Sequence, residues 1–521
     1  MAEEFHLDRL RRALRRTPFH CSGTLSLPED DFVLYFGKGP EAYRINFTEF
    51  AAQSRDINSP NPSTTSQVEA DTTQPGQDVQ NVNRRSCDEL LMKLVEMCDV
   101  ATFGRNKEDV LDESYRKAVK LDTKYFATKF DITSSGLLGI IKGDLLAQGN
   151  AGRDVRAELY KLNVYAPGGF FKAHKDTPRS KTMFGSAVVV LPTPHEGGAL
   201  ILRDKGEEWC FDSAELLKNG ANDPRIAYVA FYSDIEHEVA EVISGHRVTL
   251  TYNLYFESPS VNVPRKDVFG PDVYAAKLKA EFKELLRDST FLPDGGYLAF
   301  SLSRQYPIKS DTSVAHLVEC LKGSDAKLRE VCRQVGLKAE FKLYLDVGEE
   351  ILMDVAPELG DLLDDRDVID ELEEYYRNDM WIIDEDEEDE LIDSRRQRQR
   401  PRVWVNWVTD KFGWTRYKTE YLTYGNEPSL NCSYGYGCLI VSVGPFGQRK
   451  TEEGETEEEE EEEEEGEGEG EGEEEGEGEG EEETDETDDE QPDTKDNERG
   501  TNEEEIAGEM SGEARKEEKS V

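Results

Sequence analysis

His174 and Asp176 lie two residues apart in one segment, and His237 and Arg247 lie ten apart in a later one. If the first segment is extended, the two-residue period of a strand puts both of its side chains on one face. Two imidazoles and a carboxylate can occupy one triangular face of an octahedral metal ion and leave three positions open, as in non-haem Fe(II) oxygenases. A nearby guanidinium can then grip the far carboxylate of a dicarboxylate cosubstrate through paired hydrogen bonds. The four residues set the expectation of an oxygenase, with His174, Asp176 and His237 as metal ligands.

Such side chains need a rigid frame, and the surrounding pattern supplies one. Candidate strands fall at 157–165, 184–191, 198–203, 207–212, 226–232, 237–243 and 246–256, broken by Gly and Pro turns. Seven strands at this spacing predict a sandwich or a double-stranded jelly roll. In the last strand Val248, Leu250, Tyr252 and Leu254 share one face, and Arg247, Thr249, Thr251 and Asn253 the other. An ordinary sandwich would turn that polar face to water; a barrel would turn it into a ligand cavity. In the first strand Lys161, Asn163 and Tyr165 form a second polar face, which favours the cavity. Helical periodicity at Leu90, Leu91, Leu94, Val95 and Cys98, and again over 107–121 and 137–148, predicts helices that cover the outside of the sheet.

The segment YAPGGFFKAHKD, 165–176, fits the pattern Y-x-x-G-x-x-[FY]-x-x-H-x-D. GGAL at 197–200 and HEVAEVISGHR at 237–247 follow in order. Together these motifs resemble prolyl 4-hydroxylase-like 2-oxoglutarate/Fe(II)-dependent dioxygenases, in a multi-domain layout of fungal type, over about a hundred residues. The resemblance implies that His174, Asp176 and His237 bind Fe(II) and that Arg247 pairs with the distal carboxylate of 2-oxoglutarate. Tyr165 and Thr249 become candidate second contacts to the cosubstrate. The implied reaction uses O2, converts 2-oxoglutarate to succinate and CO2, and hydroxylates a C–H bond, with a prolyl residue of a protein the leading target and a small molecule the alternative. Redox cycling implies that ascorbate or another reductant supports turnover. Asp176 fills the position that halogenating relatives leave open, so hydroxylation, or demethylation through a hydroxylated methyl group, is expected.

Other readings stand beside this one. Zinc hydrolases also use two His and a carboxylate, but that chemistry gives no reason for Arg247. A noncatalytic binding or scaffold protein could retain the ligand set and work through its acidic tail. Arg179 is expected to pair with a surface carboxylate, the alternative being contact with an acidic substrate. His195 is expected in a loop and His246 on an outward strand face.

The fold class that emerges is α+β: a double-stranded jelly roll with covering helices at 86–258, then a second α+β domain at 259–447. Ahead of them lie a strand-rich segment, 1–51, in which residues 3–16 read as a solvated amphipathic helix, and a polar linker, 52–85, expected to be disordered. The acidic run 361–393 and RRQRQRPR at 395–402 read as a solvated loop inserted in the second domain. A Glu/Gly-rich tail, 448–521, is too polar to fold. Residues 451–521 hold 38 Asp and Glu against 5 Lys and Arg, a net of −33 out of −50, so the preceding 450 residues carry −17. That balance gives no basic footprint for duplex nucleic acid, while the tail could meet a basic protein partner. Eight thinly spread cysteines suit a reduced compartment, and no secretory signal or membrane span is evident. A cytoplasmic or nuclear location is expected.

Overall fold

The computed structural model describes residues 2–14, 17–50, 86–105, 108–146, 153–218, 224–257, 273–309, 311–357, 365–383, 402–411 and 433–449. The expected linker, most of the acidic and basic run, and the tail beyond Arg449 lie outside them.

The site is framed by two sheets. The larger uses β1 (His20–Ser26), β2 (Asp99–Val100), β4 (Val119–Asp122), β5 (Val155–Tyr165), β7 (Met183–Val190), β10 (Arg225–Tyr232) and β12 (Arg247–Phe256) in the order β1-β10-β7-β12-β5-β4-β2. The smaller uses β3 (Arg116–Lys117), β6 (Phe170–His174), β8 (Leu200–Asp204), β9 (Glu207–Phe211) and β11 (Glu236–Val239) in the order β9-β8-β11-β6-β3. Both sheets contribute to one apolar core. The mixed α+β fold with two opposed sheets is consistent with a jelly roll.

Composition explains the larger sheet. The centre of β12 alternates Val248, Leu250 and Leu254, all 0% exposed, with polar residues that face the other sheet. Each fully buried aliphatic side chain of this kind contributes about 1.5–3 kcal/mol. Helices α2 (Cys87–Met97) and α3 (Leu137–Leu146) bury Leu91, Leu94, Leu137 and Ile141 in the same core. Ser86 and Glu89 form a reciprocal capping box at the start of α2.

The stretch 107–121, expected to be a helix, instead forms a short strand at Glu108–Val110, then β3 and β4. Pairing explains the outcome. The β4 backbone runs antiparallel to β5, and Phe171 of β6 lies opposite Arg116 of β3. Tertiary pairing overrides the local helical period there.

A second core gathers both ends of the described chain. Helix α1 (Ala2–Ala13) is not solvated on all sides: Leu7, Leu10 and Ala13 are buried in this core with Leu278, Phe282 and Leu285 of α4 (Val273–Arg287). The same core contains a seven-stranded sheet that includes Gly296–Ser301, Lys338–Asp346 and Cys438–Val443. Part of the expected acidic loop is ordered too, as a helix at Asp365–Tyr375 that buries Leu372 and a strand at Met380–Ile383.

Candidate metal centre

β6 and β11 are antiparallel neighbours, and their register sets His174 directly opposite His237. The ring centroids are 4.2 Å apart. Asp176 follows just past the end of β6, and its Oδ1 lies 3.8 Å from His237 Nε2. One donor atom from each of the three residues falls within 4.8 Å of the others, and all three side chains are buried.

Backbone carbonyls fix the imidazoles. Nδ1 of His174 meets the Lys172 carbonyl at 2.8 Å, and Nδ1 of His237 meets the Ile235 carbonyl at 3.0 Å. A carbonyl only accepts, so each Nδ1 carries the proton and each Nε2 keeps a free lone pair, as a metal requires. Burial, then the neighbouring His237, holds the His174 pKa well below the usual imidazole range and keeps that ring neutral. Phe171 stacks on His174 with centroids 3.5 Å apart, and Phe231 packs on His237 at 4.7 Å. Ser186 of β7 donates its hydroxyl to Asp176 Oδ2, which orients the carboxylate.

The same pocket contains Arg247, Tyr165 and Thr249, on the polar faces of β12 and β5. Arg247 pairs with Tyr165 in register, with its guanidinium 5.7 Å from the Tyr165 ring centre, and Thr249 pairs with Asn163. Thus all six sequence-predicted site residues line one cavity. Arg247 is 1% exposed, and its Nε and Nη2 have no hydrogen-bond partner among the described residues. Burial pushes its pKa down to about 10. An unpaired buried charge costs several kcal/mol, so the cavity is built for an anion at that guanidinium. Room for its side chain comes from the Gly-Gly turn. Gly198 has φ +70°, and a Cβ there would sit 2.9 Å from Arg247 Cδ.

Lys161, on the polar face read from the sequence, lines the cavity too, and three further lining residues come from the structure: Arg116, Tyr160 and Ser186. Arg116 donates to the Thr102 carbonyl at 2.6 Å and to Asn163 Oδ1 at 3.0 Å, and its guanidinium covers Phe171 at 4.4 Å. A register irregularity between Leu159 and Lys161 turns two consecutive side chains, Tyr160 and Lys161, into the cavity. Ser186 did leave a signal, as the lone hydroxyl in the apolar run MFGSAVVVL.

The remaining histidines considered above lie elsewhere. His195 sits in a short strand rather than a loop, buried, with Nε2 3.1 Å from Ser213 Oγ. His246 is half-buried beside the strand that begins at Arg247. Arg179 donates to the Tyr160 hydroxyl at 2.7 Å.

Two buried imidazoles, one oriented carboxylate and a buried guanidinium whose Nε and Nη2 have no partner among the described residues fit a divalent metal with a dicarboxylate beside it. Among the described residues no helix is long and apolar enough to cross a membrane.

Comparison with known proteins agrees with that donor set. Residues 160–255 match the model of the 2OG-Fe(II) oxygenase superfamily. Among solved structures, a prolyl 4-hydroxylase of Pseudomonas putida is 19% identical, covering 33% of this chain and 84% of its own, with a TM-score of 0.22. A Trichoplax adhaerens prolyl hydroxylase, solved with a hypoxia inducible factor peptide, is 17% identical, covering 29% and 70%, with a TM-score of 0.20. A viral collagen prolyl hydroxylase from Paramecium Bursaria Chlorella virus-1 is 13% identical, covering 27% and 79%, also at 0.20. At these scores the likenesses carry no argument about substrate. No curated protein matches the chain. Fe(II), 2-oxoglutarate and O2 are the cofactor and cosubstrates that the superfamily match implies. Every residue that lines the cavity except Arg116 falls within 160–255, the segment that matches the 2OG-Fe(II) oxygenase model.

Proposed function

We propose that the protein is an Fe(II)- and 2-oxoglutarate-dependent dioxygenase that hydroxylates a C–H bond of a protein residue, with proline the leading target on the strength of the 165–176 motif. One observation carries the reading: a buried guanidinium with unpartnered nitrogens shares a cavity with two lone-pair imidazoles and a carboxylate.

His174, Asp176 and His237 would hold the metal, and Arg247 would receive the distal carboxylate of the cosubstrate, with Tyr165 and Thr249 beside it. Bound Fe(II) with 2-oxoglutarate and O2 supplies the oxidising chemistry, which yields succinate, CO2 and a hydroxylated product. The chain's own residues prepare that chemistry. The Lys172 and Ile235 carbonyls lock both imidazole tautomers. Ser186 fixes the carboxylate, and Phe171 and Phe231 exclude water from the ring faces. Arg247 would orient the cosubstrate through charge-assisted hydrogen bonds from its Nε and Nη2, which have no partner among the described residues.

Succinate release from iron-loaded protein tests this reading. It is expected to require 2-oxoglutarate and O2, to vanish in His174→Ala, and to persist when the residues after Arg449 are removed. Succinate release that persists in His174→Ala contradicts it.

A further inference from the structure

A groove opens beside the cavity, between the segment 178–181 that follows Asp176 and the segment 307–317 of the second core. Its lining contains Arg179, Lys181, Lys309 and His316 over an apolar floor that includes Ile308 and Leu317, and among the described residues it contains no Asp or Glu. Lys181 and Lys309 are exposed, and neither forms an ion pair among the described residues. The acidic residues nearest in sequence are engaged elsewhere: Asp311 accepts from the Tyr376 hydroxyl, and Glu319 pairs with Arg329. A cationic groove is out of keeping with a chain whose first 450 residues carry −17.

The groove and the cavity share a wall. Arg179 lines the groove and bonds Tyr160, which lines the cavity. The same sign of charge continues inward. Arg116 and Lys161 line the cavity besides Arg247, and among the described residues Asp176 is the one carboxylate in that lining. Arg116 is 5% exposed, and its Nε has no partner among the described residues. With Arg247 matched by a cosubstrate carboxylate, the remaining lining is cationic. Asp122 lies opposite Lys161 across β4, outside the lining.

We propose that the groove docks an acidic segment of the polypeptide substrate, placing a flanking residue of that segment in the cavity. The proposal rests on the oxygenase reading for what happens to the docked residue, but docking itself does not. Acidic side chains would meet Lys181, Lys309 and Arg179, while interspersed apolar residues would cover Ile308 and Leu317. A nucleic acid fits less well, because among the described residues the groove lining offers no Phe, Tyr or Trp for base stacking. The net negative charge of the chain repels acidic peptides at long range, so binding has to come from this local patch.

Fluorescence anisotropy on the full chain tests the docking. The probe is a labelled peptide of about 12 residues alternating Glu with Leu and Pro. The controls are its Glu→Gln counterpart and a single-stranded oligonucleotide of equal charge. The Glu peptide is expected to bind, and the Gln peptide to bind about ten-fold more weakly or worse. Lys181→Glu with Lys309→Glu should weaken the Glu peptide about ten-fold, with an unfolding midpoint matching the parent. Lys181→Gln, a neutral change at an exposed position, should give an intermediate loss, so the result does not depend on the double variant folding. Equal binding of the Gln peptide, unchanged affinity in both variants, absence of any peptide binding, or tighter binding of the oligonucleotide overturns the proposal. Because binding is read without turnover, its failure is distinct from a failure of succinate release.

Discussion

His174 and His237 face each other across one antiparallel pair, and each donates its Nδ1 proton to the carbonyl two residues before it, Lys172 and Ile235 respectively. The arrangement is a property of strand geometry. A carbonyl two positions back lies on the same edge as the ring, so register alone brings two Nε2 lone pairs together.

Ser186 acts on the metal only through Asp176. Ser186→Ala should lower metal affinity about 10- to 100-fold, as loss of an outer hydrogen bond to a ligand does. A chelator competition measures it, and an unchanged affinity shows that Asp176 needs no such support.

Arg247 is costly when it has no anion beside it. Arg247→Met keeps the length of the side chain and removes the buried charge. The variant without ligands should be as stable as the parent or more stable by about 1–4 kcal/mol. In the parent, 2-oxoglutarate at about 100 times its Kd should add about 3 kcal/mol, an increment the variant lacks. Urea unfolding with and without the metal and 2-oxoglutarate reads both effects.

Gly198 serves that same guanidinium. Gly198→Ala places a methyl where the Arg247 chain passes and imposes a left-handed backbone on an L residue. Weaker 2-oxoglutarate binding is expected, by about ten-fold, with a smaller effect on metal affinity. Equal losses of both, measured by calorimetry, would indicate collapse of the turn instead.

Asp234 ties the approach to β11 to the second core. It pairs with Lys322 at 2.6 Å, accepts from the Gln305 backbone at 3.1 Å, and lies 3.7 Å from Arg304. Burial alone raises its pKa, but Lys322 and Arg304 outweigh that and bring it down to about 2. A folded-state pKa below the unfolded value of about 3.9 stabilises the protein above that value. The contribution, about 2 kcal/mol, is lost as pH falls from about 4 through 2. Asp234→Asn removes the carboxylate that Lys322 pairs with at 2.6 Å in a buried setting. The substitution should cost about 3–5 kcal/mol near neutrality and remove this part of the acid dependence, read by urea unfolding at several pH values.

Much of this design was legible in the chain. The alternation on β12 and β5 assigned Arg247, Thr249, Lys161, Asn163 and Tyr165 to one face, and they line one cavity. Period-two patterns are readable wherever one face is apolar and the strand is long. Arg116 was lost because its strand is two residues long, in a stretch whose local pattern suits a helix. Only pairing with β6, more than fifty residues away, makes it extended. Strict alternation sets Tyr160 on the face opposite Lys161, and it cannot foresee the irregularity at Leu159 that turns both into the cavity. Helix α1 looked solvated because the surface that covers Leu7 and Leu10 comes from residues beyond position 270.

Anaerobic titration of the purified chain with Fe(II) and 2-oxoglutarate tests the central claim most directly. One metal per chain is expected, with 2-oxoglutarate binding once the metal is present. Single replacement of His174, Asp176 or His237 by Ala should abolish metal binding, and Arg247→Met should abolish only the 2-oxoglutarate step. Full metal binding in any of the three alanine variants, or undiminished 2-oxoglutarate binding without Arg247, contradicts the account.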